Sequence, residues 1–297
     1  MTKNYPSKVL LFGEYTVLFG GTAFAIPYEH FSGHWTYKAG SSHELKTLFD
    51  HLVQVNSQLI YPIALDSLEE ALHQGLHFSS DIPIGMGLGS SAALSAAVYD
   101  RFTSSRSIGL NVAMSDLSII EGLYHGKSSG FDALVSYLNK PVLYKKGDLQ
   151  LFDQEPYFPM YVYLLSTFEM RSSEQLISWY RSQLTNPIFS NKMKFLTEVS
   201  ELILNKFLQR ESDVPSIRQM MDLQWTFLRP LISDRMLSVW KKIESVDHMA
   251  IKLCGAGGGG YYLVFSELVI KDPQIEGYPL TLLAAKGGSI RSKGVDF

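Results

Sequence analysis

The chain has 297 residues, of which 46% are hydrophobic and 19% are charged, as is ordinary for a globular enzyme. Its net charge of −3 and pI near 6.2 argue against a general affinity for nucleic acid or a membrane surface, because neither is attracted over long range. The single cysteine, Cys254, excludes an intrachain disulfide framework and a thiolate metal site of its own.

The same features indicate a reducing cytoplasm. The start of the sequence lacks an apolar stretch followed by a small-residue cleavage site. No run approaches the ~18 apolar residues that a membrane span needs. We therefore expect a cytoplasmic protein with no nucleic-acid or membrane partner. A homodimer is a compatible assembly.

The first half of the chain is predicted to be rich in strands. An apolar run closed by Gly13 predicts a buried strand, and Gly20-Gly21 predicts a turn into the next strand. The strands predicted here are 8–12, 22–26, 30–37, 76–80, 142–144, 149–152 and 161–165. The helices predicted between them are 42–57, 63–74, 90–101 and 117–124.

The second half is predicted to be mainly helical. Amphipathic patterns fill residues 174–244, with breaks near Pro187, Pro215 and Pro230. Strand-like runs return at 251–253, 261–265 and 280–285. This change of character predicts two domains, residues 1–160 and 161–297.

The motif with the clearest chemistry is the run PIGMGLGSSAA at residues 83–93. Its alternate glycines let the backbone approach a bulky anion, and the helix that follows offers unpaired N–H groups and a positive dipole end. Its two serines can cap that helix or face a metal. The run fits neither a Walker A loop nor the dinucleotide fingerprint. We interpret it as a phosphate cradle, with a tight strand-to-helix turn as the alternative.

A second glycine run, KLCGAGGGGY, occupies residues 252–261 between two predicted strands. Five glycines in six residues are costly to order, because glycine loses the most conformational freedom on folding. That cost indicates a backbone that closely approaches a ligand or another segment. The alternative is a flexible hairpin loop.

Two further groups of polar residues accompany these loops. The segment EGLYHGKSSGFD at residues 121–132 can offer Mg²⁺ ligands and a general base, although alone it equally fits a helix cap at Asp132 and a surface His125. Lys8 opens a predicted buried strand, where lysine is unusual, and Glu14 follows it. The plainer alternatives are a lysine that reaches solvent from a strand end and a glutamate in a turn.

Taken in order, these four segments resemble the motifs of the GHMP kinase superfamily, and most closely its mevalonate kinase branch. The resemblance spans residues 6–265 and begins with PSKVLLFGEYTVLFG at residues 6–20. It implies an α+β, two-domain GHMP kinase fold. The N-terminal ATP-binding domain would be of the ribosomal S5 type and the C-terminal domain ferredoxin-like, with ATP and the alcohol in the cleft between them.

The resemblance also implies roles for individual residues. Asp132 matches the base that takes the proton from the attacking hydroxyl, and Lys8 matches the lysine that lowers the pKa of that hydroxyl and steadies the phosphate. The ATP-binding residues implied are Pro83, Gly85, Gly87, Leu88, Gly89, Ser90, Ser91 and Ala92. Mg²⁺ would be held by Glu121 with Ser90 or Ser91. The substrate-binding residues implied are Glu14, Tyr15, Ser129, Arg171, Gly255, Ala256, Gly257 and Gly258.

Three departures from the family pattern leave the alcohol open. Tyr15 replaces a usual histidine, Ser7 a usual glycine, and Ala133 an asparagine that often follows the catalytic aspartate. The expected reaction is phosphorylation of mevalonate by ATP, and the alternative is a kinase of a sugar or another small hydroxy acid. An alternative outside the enzymes is a non-catalytic, nucleotide-binding regulatory protein. Retention of Lys8, Glu121 and Asp132 together argues against it.

Overall fold

The computed structural model describes residues 3–40, 42–103, 109–126, 128–154, 156–170 and 173–288. This part of the chain has the expected α+β character. Its strands are β1 (Asn4–Phe12), β2 (Thr22–Tyr37), β3 (Leu76–Ser80), β4 (Val142–Lys145), β5 (Asp148–Leu151), β6 (Tyr161–Ser166), β7 (Met249–Leu253), β8 (Tyr261–Ser266), β9 (Gln274–Ile275) and β10 (Tyr278–Ala284). Its α-helices are α1 (His43–Val55), α2 (Leu65–His73), α3 (Ser90–Phe102), α4 (Leu110–His125), α5 (Phe131–Leu138), α6 (Ser173–Gln183), α7 (Pro187–Leu208), α8 (Val214–Phe227) and α9 (Leu237–Glu244).

The chain divides into two compact units, each assembled from several stretches. The first unit comprises Met1–Lys8, Ile26–Ile84 and Leu88–Lys140, and the second comprises Val9–Ala25, Gly85–Gly87 and Pro141–Phe297. The domain boundary expected near residue 160 stays a prediction. Among the helices that the structure describes, none is both long and apolar enough to cross a lipid bilayer.

The first unit has its core around α3. This helix is buried from Ala92 to Tyr99, because its alanines let neighbouring elements approach closely, and it packs against α4 and α5. The buried Asp116 of α4 accepts hydrogen bonds from Ile60 N, Tyr61 N and the Tyr99 hydroxyl, at 2.8, 3.0 and 2.9 Å. These bonds tie a loop and two helices together. The second half of β2 pairs antiparallel with β3 in the same unit.

The second unit is built on a fully antiparallel sheet of order β7-β8-β6-β10-β9. Its first four strands have the spatial order of a ferredoxin-like sheet, and β8 is buried along its whole length. Helix α8 packs on β7, and α7 packs on α8. The first half of β2, β4 and β5 also belong to this unit, where β4 pairs antiparallel with both of the others.

The structure corrects the predicted secondary structure at β2, α4 and α5. The two strands predicted at 22–26 and 30–37 are one strand, β2, which continues through Pro27 and pairs with β4 before the proline and with β3 after it. Helix α4 begins at Leu110, seven residues before the predicted start. Helix α5 was not predicted, since its eight residues are too few for a clear helical period.

Candidate active site

The first unit brings Lys8 and Asp132 into contact. Lys8 Nζ lies 2.8 Å from Asp132 Oδ2, and the two side chains are 5% and 38% exposed. Because the lysine is buried and the carboxylate is half-buried, the ion pair is shielded from solvent on one side and open on the other. The structure therefore places the predicted base beside the predicted lysine. The plainer alternative, a lysine that reaches solvent from a strand end, does not hold for Lys8.

Local geometry fixes Asp132 at the start of α5. The helix is capped by Gly130 in the left-handed region, and a side chain on Gly130 would collide with Met114 O. Asp132 lies in the first turn, where the helix dipole favours an anion. Ser129 Oγ accepts a hydrogen bond from Phe131 N at 3.3 Å, so this predicted substrate residue also supports the helix start.

Glu121 is a buried carboxylate held by two hydroxyls. It accepts hydrogen bonds from Ser91 Oγ, at 3.4 Å, and from Ser128 Oγ. Burial raises its pKa to about 7 and the charge of Asp132 adds to this increase, while Ser128, Lys8 and Ser91 oppose it. Because this carboxylate is buried away from water, a cation bound beside it would stabilise its charged form. Ser128 lies in the segment 121–132 that the sequence marks as a source of Mg²⁺ ligands, but the sequence gives it no individual role.

The residues around Glu121 fit a magnesium ion that is shared with a nucleotide. Within the described residues, no group of three or more His, Cys, Asp or Glu side chains can hold a metal ion. One carboxylate with one or two hydroxyl oxygens is nevertheless the donor set expected where Mg²⁺ is bound partly by substrate phosphates and water. Glu121 and Ser91 are therefore consistent with the predicted metal site.

The glycine loop before α3, predicted to be a phosphate cradle, is held by its backbone conformation and by a contact with β1. Gly89 caps α3 with φ of 83°, and a side chain there would come 3.1 Å from Lys8 Cγ. Leu88 O accepts a hydrogen bond from Lys8 N at 2.9 Å, which fixes the loop against β1. The first turn of α3 comprises Ser90, Ser91 and Ala92, and N–H groups at this position lack acceptors within the helix.

The remaining residues of this loop differ in their surroundings. Pro83 is half-buried. Gly85 and Gly87, which belong to the second unit, have φ of 71° and 84°. Both glycines occupy the region that side chains disfavour, so the loop requires glycine at these positions.

In the second unit, Glu14 forms a buried ion pair with Lys252. Lys252 Nζ lies 2.5 Å from Glu14 Oε1, and the two side chains are 0% and 2% exposed. The same ammonium donates to Leu11 O at 2.9 Å and to Leu253 O at 2.8 Å. Sequence reasoning missed this role of Lys252, although a lysine inside the apolar strand MAIKL is itself a signal.

Tyr15 links the turn after β1 to the second glycine loop. Its hydroxyl donates to Ala256 O at 2.5 Å, and its own carbonyl accepts from the Tyr180 hydroxyl at 3.1 Å. Its φ of 61° is unusual for an aromatic residue. Because strained residues persist where their surroundings determine them, and are frequent at functional sites, these contacts mark the turn as specialised.

The second glycine loop is pinned along its length. Gly255, Gly257 and Gly258 all have positive φ, and a side chain on Gly257 would collide with Leu231 O. Gly258 N donates to that carbonyl at 2.7 Å. Gly260 N donates to Glu169 O at 2.9 Å. These contacts are not those of a flexible hairpin. Arg171, the remaining predicted substrate residue, lies outside the described residues.

Comparisons with known proteins find a family domain and similar relatives. Residues 58–140 match the family model of the GHMP kinases N terminal domain. The chain is 27% identical to a mevalonate kinase of Pyrococcus horikoshii, over 86% of this chain and 85% of that protein. It is 26% identical to a mevalonate kinase of Thermococcus onnurineus, over 86% of each.

Two solved kinase structures share the fold of this chain. The L. major mevalonate kinase in complex with R-mevalonate superposes with a TM-score of 0.62 at 17% identity, over 90% of this chain and 87% of that one. The Lactococcus lactis galactokinase complexed with galactose superposes with a TM-score of 0.63 at 14% identity, over 96% and 93%. Residues 58–140 therefore carry a GHMP kinases N terminal domain, and the relatives and the fold of the chain are similar to kinases of the same family.

Proposed function

We propose that this protein transfers the terminal phosphoryl group of ATP to the hydroxyl of mevalonate, which yields 5-phosphomevalonate for isoprenoid precursor synthesis. The observation that carries the proposal is the contact of Lys8 with Asp132 at the start of α5. The relatives named mevalonate kinase, matched over most of the chain, support this choice of alcohol. The single cysteine supports a cytoplasmic location.

In this proposal Asp132 accepts the proton of the attacking hydroxyl. Its carboxylate is 38% exposed, so an alcohol can reach it, and Lys8 Nζ holds it in one orientation. The lysine also provides a fixed positive charge beside the reacting phosphate. Phosphoryl transfer needs little more from a protein than positioning and neutralisation of charge, so one base and one lysine are sufficient side chains for the chemistry.

The phosphates of ATP are proposed to bind the glycine loop and the start of α3, using Pro83, Gly85, Gly87, Leu88, Gly89, Ser90, Ser91 and Ala92. The N–H groups and dipole of a helix start favour an anion. Glu121, with Ser90 or Ser91, would hold Mg²⁺, which neutralises charge on the phosphate oxygens when bound. Removal of the buried carboxylate is therefore expected to weaken the use of Mg²⁺.

The substrate-binding residues remain a proposal as a set. They are Glu14, Tyr15, Ser129, Arg171, Gly255, Ala256, Gly257 and Gly258. Glu14 and Tyr15 are each 4% exposed, so we propose that they act mainly by fixing the backbone around them. Ala256 and Gly258 are partly exposed and can offer backbone groups directly.

A substrate panel tests the proposed reaction. ADP formation is measured with mevalonate, phosphomevalonate, galactose and homoserine under identical conditions. We expect mevalonate to give the highest kcat/KM. A clear preference for galactose or another hydroxy acid would instead support the second candidate function, for which Tyr15 in place of the usual histidine is the specific observation.

The base is tested with Asp132→Asn and a matched control. We expect the variant to lose about 10²–10⁴-fold in turnover while ATP binding is retained. Asp100→Asn is the control, because Asp100 also pairs with a lysine in the first unit, at 3.0 Å from Lys3. Near-normal turnover of Asp132→Asn would reject Asp132 as the base. ATP binding without turnover by the unmodified protein would support the regulatory alternative.

A further inference from the structure

The segment that follows β6 has an unusual conformation beside the second glycine loop. Phe168 has φ of 56° and is 75% exposed, although an aromatic residue rarely adopts this left-handed conformation. The residues on either side of it bond with the same glycine. Thr167 N donates to Gly260 O at 2.9 Å, and Gly260 N donates to Glu169 O at 2.9 Å. The left-handed turn at Phe168 therefore joins two residues that both pair with Gly260.

The carboxylate of Glu169 ties this segment to the residues between α8 and α9. Glu169 Oε1 lies 2.9 Å from Arg235 Nε, and Glu169 Oε2 accepts a hydrogen bond from Ser233 Oγ at 3.0 Å. Ser233 N in turn donates to the Tyr262 hydroxyl at 3.2 Å. Strained backbone persists only where surrounding contacts determine it, and both oxygens of this carboxylate provide such contacts.

The same segment contacts residues of both glycine loops, and all of these residues belong to the second unit. A carbon added to Gly259 would come 3.0 Å from Glu169 Cβ. A carbon added to Gly85, in the glycine loop before α3, would come 3.3 Å from Met170 Cβ and 3.5 Å from its Sδ. The position of segment 167–170 therefore bears on the backbone of Gly259 and of Gly85.

Polar contacts, more than apolar packing, hold this segment in place. Phe168 and Met170 are 75% and 76% exposed, so the two large apolar side chains of the segment bury little surface. A segment with few buried apolar contacts has low local stability, and its arrangement depends on its hydrogen bonds and ion pairs. Glu169, whose side chain is 23% exposed, provides two of these contacts.

We propose that Glu169 is a positioning residue of the kinase reaction, which keeps segment 167–170 against Gly85 and Gly259. This inference rests on the function proposed above, in which the two glycine loops hold ATP and the alcohol. Without the carboxylate, the segment is no longer held in one arrangement, and each loop must be ordered when its ligand binds. A displacement of about 1 Å far from the chemistry can lower a rate about 100-fold, so Glu169 affects turnover without touching the substrate.

The kinetic test compares Glu169→Ala with Glu201→Ala. Glu201 is the matched control, because its carboxylate also accepts one hydroxyl hydrogen bond, from Thr22 at 3.0 Å, and pairs with one cation, Lys145, at 3.2 Å. The two carboxylates are 23% and 29% exposed, so both variants should show similar melting temperatures. We expect Glu169→Ala to lower kcat and to raise the KM for ATP, with kcat/KM reduced about 10- to 100-fold, and Glu201→Ala to leave both constants unchanged.

A double variant tests whether Glu169 acts through its cation. Arg235→Ala should also lower kcat/KM, and adding it to Glu169→Ala should cause no further loss, because the two residues share one contact. Glu169→Gln keeps the length of the side chain and an acceptor oxygen for Ser233, so it should recover part of the lost turnover. It also serves as the test variant if Glu169→Ala does not fold.

Titration calorimetry with ATP and Mg²⁺, without any alcohol, separates this inference from the proposed function. Glu169→Ala should bind ATP at least about fivefold more weakly than the unmodified protein, and Met170→Ala should reproduce this loss. If the unmodified protein binds ATP but phosphorylates no alcohol, the proposed function fails, and these affinities still decide the role of Glu169.

Three outcomes would overturn the inference. One is that Glu169→Ala and Glu201→Ala have the same kinetic constants and the same affinity for ATP. The second is that the losses caused by Glu169→Ala and Arg235→Ala add in full. The third is an unmodified protein that binds no ATP, which would overturn the proposed function as well.

Discussion

Removal of Lys252 is expected to destabilise the protein far more than removal of a surface lysine. The ammonium is fully buried and has three acceptors: Glu14 Oε1, Leu11 O and Leu253 O. Lys252→Met preserves the apolar length of the side chain but leaves the carboxylate of Glu14 without its cation. It also leaves the two carbonyls without this donor.

The structure sets the size of this effect. Breaking a buried ion pair from one side costs about 3–5 kcal/mol, because one charge stays buried without compensation. Two carbonyls that lose a donor move the expected cost toward the upper end of this range. The double variant Lys252→Met with Glu14→Gln removes both charges. It should therefore cost about 0.5–3 kcal/mol less than the sum of the two single variants.

Urea denaturation followed by fluorescence and by circular dichroism measures these free energies, and agreement of the two probes checks that unfolding is two-state. Lys145→Met is the matched control. Lys145 pairs with Glu201 at 3.2 Å, but its side chain is 48% exposed, so the cost should be at most about 1 kcal/mol. Equal losses for Lys252→Met and Lys145→Met, or strictly additive single variants, would refute the reasoning.

Three further predictions follow from the sites. Gly130→Ala should destabilise the protein and lower turnover at least tenfold, because the added carbon meets Met114 O and displaces Asp132. The control Gly147→Ala, at a position with φ of 94° and open space, should lower stability alone, and equal turnover of the two variants would contradict this prediction. In metal-free buffer, Glu121 should lower the free energy of unfolding by up to about 3 kcal/mol as pH rises from about 4.5 to about 7, because its raised pKa lets the folded state hold a proton that the unfolded state releases. Glu121→Gln should flatten this dependence of stability on pH, and a dependence that persists in the variant would reject the assignment to Glu121. Tyr15→Phe should lower the free energy of unfolding by about 1 kcal/mol and, in steady-state kinetics, raise the substrate KM more than it lowers kcat. An unchanged KM would show that Tyr15 does not contribute to substrate binding.

Elements with a strong local pattern were predicted well. Strands β6, β7 and β8 are continuous buried runs, and the sequence shows such runs directly, whereas β1 begins at Asn4, four residues before its predicted start. Helix α5 shows the limit of this reasoning. It has eight residues, and the close approach of Gly130 to the backbone of Met114 sets its start. Local sequence does not show that neighbour.

The candidate site was predictable to the extent that its motifs are local. The pair of Lys8 and Asp132 follows from the resemblance, but the pair of Glu14 and Lys252 joins residues 238 positions apart. The sequence around either residue does not predict that the other is its partner. The glycines differ in the same way, since Gly257 faces a backbone carbonyl and Gly147 faces open space, a distinction that only tertiary structure makes.

Tyr15 changes how the departure from the family pattern is understood. A left-handed φ costs a residue of this kind about 1–3 kcal/mol, and the surrounding structure must offset that cost. Here the bond from its hydroxyl to Ala256 O, the bond from Tyr180 to its carbonyl, and a ring contact of 4.7 Å with Tyr180 do so. Because the hydroxyl donates its hydrogen to a backbone carbonyl, that hydrogen is not available to an alcohol. We therefore propose that the exchange of histidine for tyrosine acts on the substrate through the position of the Gly255–Gly258 backbone, and that the geometry of this loop selects the alcohol.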